Sequence, residues 1–117
     1  MKWKEWLTKL VRSTKKEKRS ISEISYEEAQ KILKQNKKSI LLDVRSKQEY
    51  EERRLPGAIL VPLDTLCKTI QEGKLGDKDN SIIAYCHSGA RSKRAVELLK
   101  QYGYEKSYSL KGGIDLT

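Results

Sequence analysis

The residues of this chain best suited to chemistry lie together in Cys86-His87-Ser88-Gly89-Ala90-Arg91-Ser92. A cysteine acts as a nucleophile only as its thiolate, so its surroundings must favour negative charge. Successive backbone N–H groups of a tight loop can form an anion-binding nest. Gly89 supplies the backbone freedom such a curl requires. The N-terminus of a following helix would add about half a positive charge, and Arg91 a full one. Cys86 is therefore the candidate nucleophile. His87, Ser88, Gly89, Ala90, Arg91 and Ser92 are the candidate substrate-binding residues, and alkylation of Cys86 should titrate below the ~8.5 of a free thiol. A buried, inert cysteine at a strand end would need neither the glycine-containing loop nor the basic helix start.

The flanking elements must hold this loop. Ser81-Ile82-Ile83-Ala84-Tyr85 reads as a strand that delivers Cys86 at its C-terminal end. A six-residue loop from Cys86 to Arg91 is expected next. Ala95, Leu98, Leu99 and Tyr102 then mark the buried stripe of a helix stopped by Gly103. Arg91, Lys93 and Arg94 crowd its first turn, where cations oppose the helix dipole unless an anion or thiolate sits nearby.

Upstream, Ile21 to Ile24 is a short strand, and Ser25 with Glu28 forms a capping box opening a helix through about Leu33. Ser39-Ile40-Leu41-Leu42-Asp43-Val44 is an apolar run of the kind found in parallel sheets covered on both faces. Ser46 with Glu49 is a second capping box. Ala58-Ile59-Leu60-Val61 follows the Pro56-Gly57 turn as a strand, and Leu63, Leu66, Cys67 and Ile70 have helical spacing, which places Cys67 in the core. Ser107 to Leu110 is the last strand before Gly112-Gly113. Strands alternating with helices predict a mainly parallel α/β sheet. Ligands of such sheets bind beyond the carboxyl ends of the strands, where Cys86 lies.

The 117 residues allow one domain. Residues 1–20 hold eight Lys/Arg against two Glu, so +6 of the net +9 resides there and +3 remains for residues 21–117. A nucleic-acid interface would want a basic face on the fold itself, so no nucleic-acid partner is expected. Two cysteines and one histidine make neither a disulfide framework nor a zinc site, and no metal or cofactor is expected. No apolar run approaches the ~20 residues needed to span a bilayer.

Residues 1–20 are a separate basic, amphipathic segment and linker. Trp3, Trp6, Leu7, Leu10 and Val11 share one helix face. That face could dock on the domain, lie on an anionic membrane through residues 1–12, or bind a partner or stay disordered. A reducing cytoplasmic setting suits a free thiol, with peripheral contact at the inner face of the membrane as the variant. A monomer is expected.

The order of several short motifs resembles the rhodanese family. They are Leu42-Asp43-Val44-Arg45 with Glu49-Tyr50, Leu55-Pro56-Gly57-Ala58, Cys86-x-x-Gly89-x-Arg91, and Leu110-Lys111-Gly112-Gly113-Ile114. The resemblance spans residues 21–117. It implies a rhodanese-like α/β domain with a central, mainly parallel five-stranded sheet flanked by helices on both faces. It also implies a thiosulfate sulfurtransferase in which Cys86 carries sulfane sulfur as a persulfide. The donor would be thiosulfate or a persulfide, and the acceptor a thiol, cyanide or a protein. A sulfur-carrier module is the alternative. Phosphatases and arsenate reductases of the same fold use a loop one residue longer, which suits a tetrahedral anion rather than a sulfur substituent. Asp43 and Arg45 are implied supporting residues, with Arg45 paired to Glu49. Two departures stand out: Arg53-Arg54 occupy the usual Gly-His position, and Thr117 stands where a Trp commonly follows the double glycine.

Overall fold

The computed structural model describes residues 23–116. The amphipathic stripe and basic linker read in residues 1–20 lie outside the described residues. Five parallel strands form one sheet, in the order β1-β5-β4-β2-β3. They are β1 (Glu23–Ile24), β2 (Ile40–Asp43), β3 (Ile59–Leu60), β4 (Ile82–Tyr85) and β5 (Ser107–Leu110). The α-helices are α1 (Tyr26–Gln35), α2 (Lys47–Glu52), α3 (Leu66–Gln71) and α4 (Ala90–Gln101), with 3-10 turns at Leu63–Thr65 and Gly113–Leu116.

Both expected capping boxes form. Ser25 and Ser46 each accept the backbone N–H three residues on, and Glu28 and Glu49 reach back to the cap N–H. Each satisfies donors that a helix start would otherwise leave unpaired.

The strand residues alternate between two buried layers, as a sheet covered on both faces requires. Ile40, Leu42, Val44, Ile82, Ala84 and Cys86 belong to one layer, with Leu66 and Ile70 of α3 and Ala95, Val96 and Leu99 of α4. Leu41, Ile83, Tyr85 and Leu110 belong to the other, with Ala29 of α1 and Leu55. Leu42, Ile82, Ile83 and Leu99 are fully excluded from solvent, and each such burial contributes roughly 1.5–3 kcal/mol. Tyr85 and Cys86 thus point to opposite sides of the sheet.

Three local expectations differ from the structure. Strand β3 is only two residues long, not four. Cys67 is half-buried and outside the core, because Leu66 and Ile70 are the residues that α3 turns inward. Helix α4 begins at Ala90, so only Cys86 to Gly89 separate it from β4. Arg91 is therefore a helix residue rather than a loop residue.

Candidate active site

Cys86 follows directly on the C-terminal end of β4, which lies between β2 and β5 in the sheet. Its residue is only 1% exposed. Gly89 caps α4 with φ +118°, a conformation open to glycine and strained for other residues. That twist folds the backbone over the sulfur. The Gly89 N–H donates to Cys86 Sγ at 3.1 Å and the Ser92 N–H at 3.4 Å. The Ser92 hydroxyl lies 3.6 Å from the same sulfur. Burial pushes the Cys86 thiol up, but hydrogen bonds from the Ser92 N–H and hydroxyl and from the Gly89 and Arg91 N–H groups outweigh it. The net result lies below the ordinary thiol value.

The other candidate residues divide into rim and wall. His87, Ser88 and Ala90 are exposed at the mouth of the loop. His87 Nε2 lies 3.1 Å from Asp115 Oδ2. The Arg91 side chain does not bond the sulfur. It makes two hydrogen bonds, 2.8 and 2.9 Å, to the carboxylate of Glu49; its backbone N–H favours the thiolate, and its charge acts on Cys86 from a distance. Lys93 pairs with Glu23 and Arg94 with Glu97. The cationic helix start is thus answered by carboxylates as well as by the sulfur.

Asp43 and Arg45 form a buried ion pair. Arg45 donates to Asp43 through its backbone N–H at 3.0 Å, through Nε at 3.0 and 3.2 Å and through Nη2 at 2.7 Å. It also donates to the Arg53 carbonyl. The partner of Arg45 is therefore Asp43, not Glu49, because both side chains are buried beneath the loop while Glu49 faces α4. Tyr85 completes the group. Its hydroxyl donates to Asp43 at 2.8 Å and accepts the Leu55 N–H at 3.0 Å. Burial pushes this phenol up to about 12, so it remains a donor.

The Gly112-Gly113 turn closes the back. The Ile114 N–H donates to the Cys86 carbonyl at 3.0 Å and the Asp115 N–H to the His87 carbonyl at 3.4 Å. Arg53, at a position where the resemblance expects glycine, donates to the Ile114 carbonyl at 3.3 Å. A cleft of about 590 Å³ opens beside Arg91, between Ser46-Lys47 and Leu63-Asp64. Among the described residues, no group of three His, Cys, Asp or Glu gathers as a metal site would require.

Sequence reasoning did not single out Ser109. This buried residue of β5 places its Oγ 2.6 Å from Ser92 Oγ. The available signal was the alternation Ser107, Ser109 in a strand otherwise apolar or aromatic. Glu49 was read as a cap, which it is, but its second role on Arg91 spans 42 residues of sequence.

A parallel sheet carrying a cradled cysteine at the end of an inner strand defines a recognisable class. The family model for the Rhodanese-like domain matches residues 25–116, and the chain belongs to that family. The chain is 35% identical over 95 residues to a putative sulfur carrier protein, YrkF, of Bacillus subtilis, covering 81% of this chain and 50% of that protein. It is 32% identical over 94 residues to a sulfurtransferase of Allochromatium vinosum, covering 80% of this chain and 85% of that one. The human single-domain sulfurtransferase TSTD1 shares the fold, with a TM-score of 0.71 at 22% identity over 80% of this chain and 92% of that chain. None of the described helices is long and apolar enough to cross a membrane.

Proposed function

We propose that this protein is a sulfurtransferase that carries a sulfane sulfur on Cys86. The observation that carries the reading is the sulfur's setting: it hangs from an inner strand with the Gly89 and Ser92 N–H groups aimed at it. In the first step the Cys86 thiolate attacks the outer sulfur of thiosulfate. A bond forms from Sγ to that sulfur, the sulfur–sulfur bond of thiosulfate breaks, and sulfite leaves with the electron pair. The persulfide anion remains on Cys86. In the second step a thiolate or cyanide attacks the outer sulfur, and the Cys86 thiolate is restored as the leaving group. This is covalent catalysis in two transfers, with backbone donors set in advance where negative charge resides.

His87, Ser88 and Ala90 would form the rim that donor and acceptor pass. Gly89, Arg91 and Ser92 would supply the N–H groups. Asp43 and Arg45 would support the loop from below, and the cleft beside Arg91 offers room for an acceptor. Similarity to a sulfur carrier and to a sulfurtransferase supports the same persulfide in either use. A free reactive thiol suits a reducing compartment.

The test is to incubate the protein with thiosulfate, read the intact mass, and then add cyanide. The expected result is one added sulfur on Cys86, released as thiocyanate, and neither event in Cys86→Ser. Transfer that survives in Cys86→Ser overturns the assignment. Stable loading with slow release to small thiols, and fast release to a protein acceptor, would select the carrier use.

A further inference from the structure

Behind the Cys86 sulfur lies a chain of two buried hydroxyls. Ser92 and Ser109 are both fully excluded from solvent, and their Oγ atoms are 2.6 Å apart. Ser92 is in the first turn of α4 and Ser109 in β5, next to β4 in the sheet. No water is required to link them, and the helix and the strand meet directly at this point.

The protons can be assigned by counting. Each hydroxyl has one proton to give. Ser92 Oγ donates to the Gly89 carbonyl at 3.0 Å, so the proton in the 2.6 Å contact belongs to Ser109. With Cys86 as a thiol, Ser92 Oγ also accepts from Sγ. Ionising the sulfur removes that donor and creates a strong acceptor in its place. The Ser92 O–H can then turn from the Gly89 carbonyl to the thiolate. The carbonyl is not left bare, because the Lys93 N–H also donates to it at 3.1 Å. An orphaned buried carbonyl would oppose this rotation; here it keeps a partner.

We propose that Ser109 is a positioning residue for sulfur transfer: by donating to Ser92 Oγ it holds that oxygen in place and polarises the O–H that turns onto the Cys86 sulfur. Without it, Ser92 loses its second donor, and the O–H is no longer polarised by a neighbour in a buried chain, where hydrogen bonds reinforce one another. The role rests on Cys86 being the working thiolate. It applies twice per cycle, since the same sulfur is the attacking group in the first transfer and the leaving group in the second.

The experiment is the rate of Cys86 alkylation by iodoacetamide against pH, in the full chain and in Ser109→Ala, Ser109→Thr, Ser92→Ala and the double alanine variant. Ser109→Ala should alkylate about three- to tenfold more slowly at neutral pH, through an upward move of the midpoint with the high-pH plateau unchanged. Ser109→Thr keeps the hydroxyl and should restore the wild-type midpoint. The double variant should match Ser92→Ala, because Ser109 then has nothing to act through. A wild-type profile in Ser109→Ala overturns the proposal, as does a further shift in the double variant or a Thr variant as displaced as Ala. The readout does not depend on thiosulfate. A shifted profile in a protein that loads no sulfur would therefore retain the positioning role and reject the sulfur donor, whereas loading with an unshifted profile would do the reverse.

Discussion

Glu49 and Arg91 hold each other through two parallel hydrogen bonds, at 2.8 and 2.9 Å, across 42 residues of sequence. The same Glu49 carboxylate accepts the Ser46 N–H that caps α2. One side chain therefore fixes both the start of α2 and the first turn of α4, whose backbone N–H groups face the sulfur. The forked geometry suits arginine, which presents its donors in a rigid plane.

Removing the two members of this pair should move the thiol in opposite directions. Arg91→Ala leaves a carboxylate near Cys86 and should raise the midpoint of thiolate formation. Glu49→Gln keeps the capping contact, releases the charge of Arg91, and should lower it. Each shift should be about half a pH unit or less, because the pair is partly exposed and screened by salt. Thiolate ultraviolet absorbance against pH at low and high salt reads both signs; shifts in the same direction would contradict the arrangement.

Acid should weaken the fold through Glu49. The Arg91 guanidinium, against some opposing burial, holds this carboxylate at about 2, below the ordinary 4.5. The folded state thus binds fewer protons than the unfolded one between those values. Its contribution is complete above about 4.5 and is lost as pH falls toward about 2. The urea midpoint of the wild type should fall more steeply over this window than that of Glu49→Gln.

The buried support beneath the loop should be sensitive to single deletions. Tyr85→Phe leaves the Leu55 N–H without its acceptor and removes one donor to Asp43. The expected loss is about 1–3 kcal/mol. Arg45→Ala strands the buried Asp43 carboxylate and should cost about 3–5 kcal/mol. Urea unfolding of the two variants should rank them in that order, and equal losses would show that Asp43 finds another cation.

Two glycines with positive φ should respond differently to alanine. Gly57 has φ +81° and open space around its missing Cβ. Gly57→Ala should cost roughly 1–2 kcal/mol from the left-handed backbone alone. A Cβ on Gly113, at φ +62°, would meet the Cys86 and His87 carbonyl oxygens and so cannot be housed without moving the cysteine loop. Gly113→Ala should lower both melting temperature and the rate of sulfur loading, whereas Gly57→Ala should spare loading. Equal loading in the two variants would refute the link.

Much of this arrangement was legible because it is local. Ser25 with Glu28 and Ser46 with Glu49 announce helix starts within four residues, and the apolar run before Cys86 announces a strand with the thiol at its end. What escaped depends on distance through space. Arg45 could reach either of two acids, and only the burial of Asp43 decides between them. The charge of Arg91 was read as serving Cys86, because its carboxylate partner Glu49 lies on another helix, 42 residues away. Cys67 fits the apolar stripe by spacing, yet a six-residue helix turns only Leu66 and Ile70 fully inward. Ser109 carries no motif at all; its meaning comes from the register that sets it beside Ala84 of β4.

The sheet order has a consequence for motion. In native-state hydrogen exchange the short outer strands β1 and β3 should open first, as few bonds hold them. The sulfur hangs from β4, and the groups that shelter it follow β4 or sit on β5, inside those margins. Fraying at either edge should therefore leave the backbone around Cys86 in place, with the β4 amides exchanging slowly while those of β1 and β3 exchange fast.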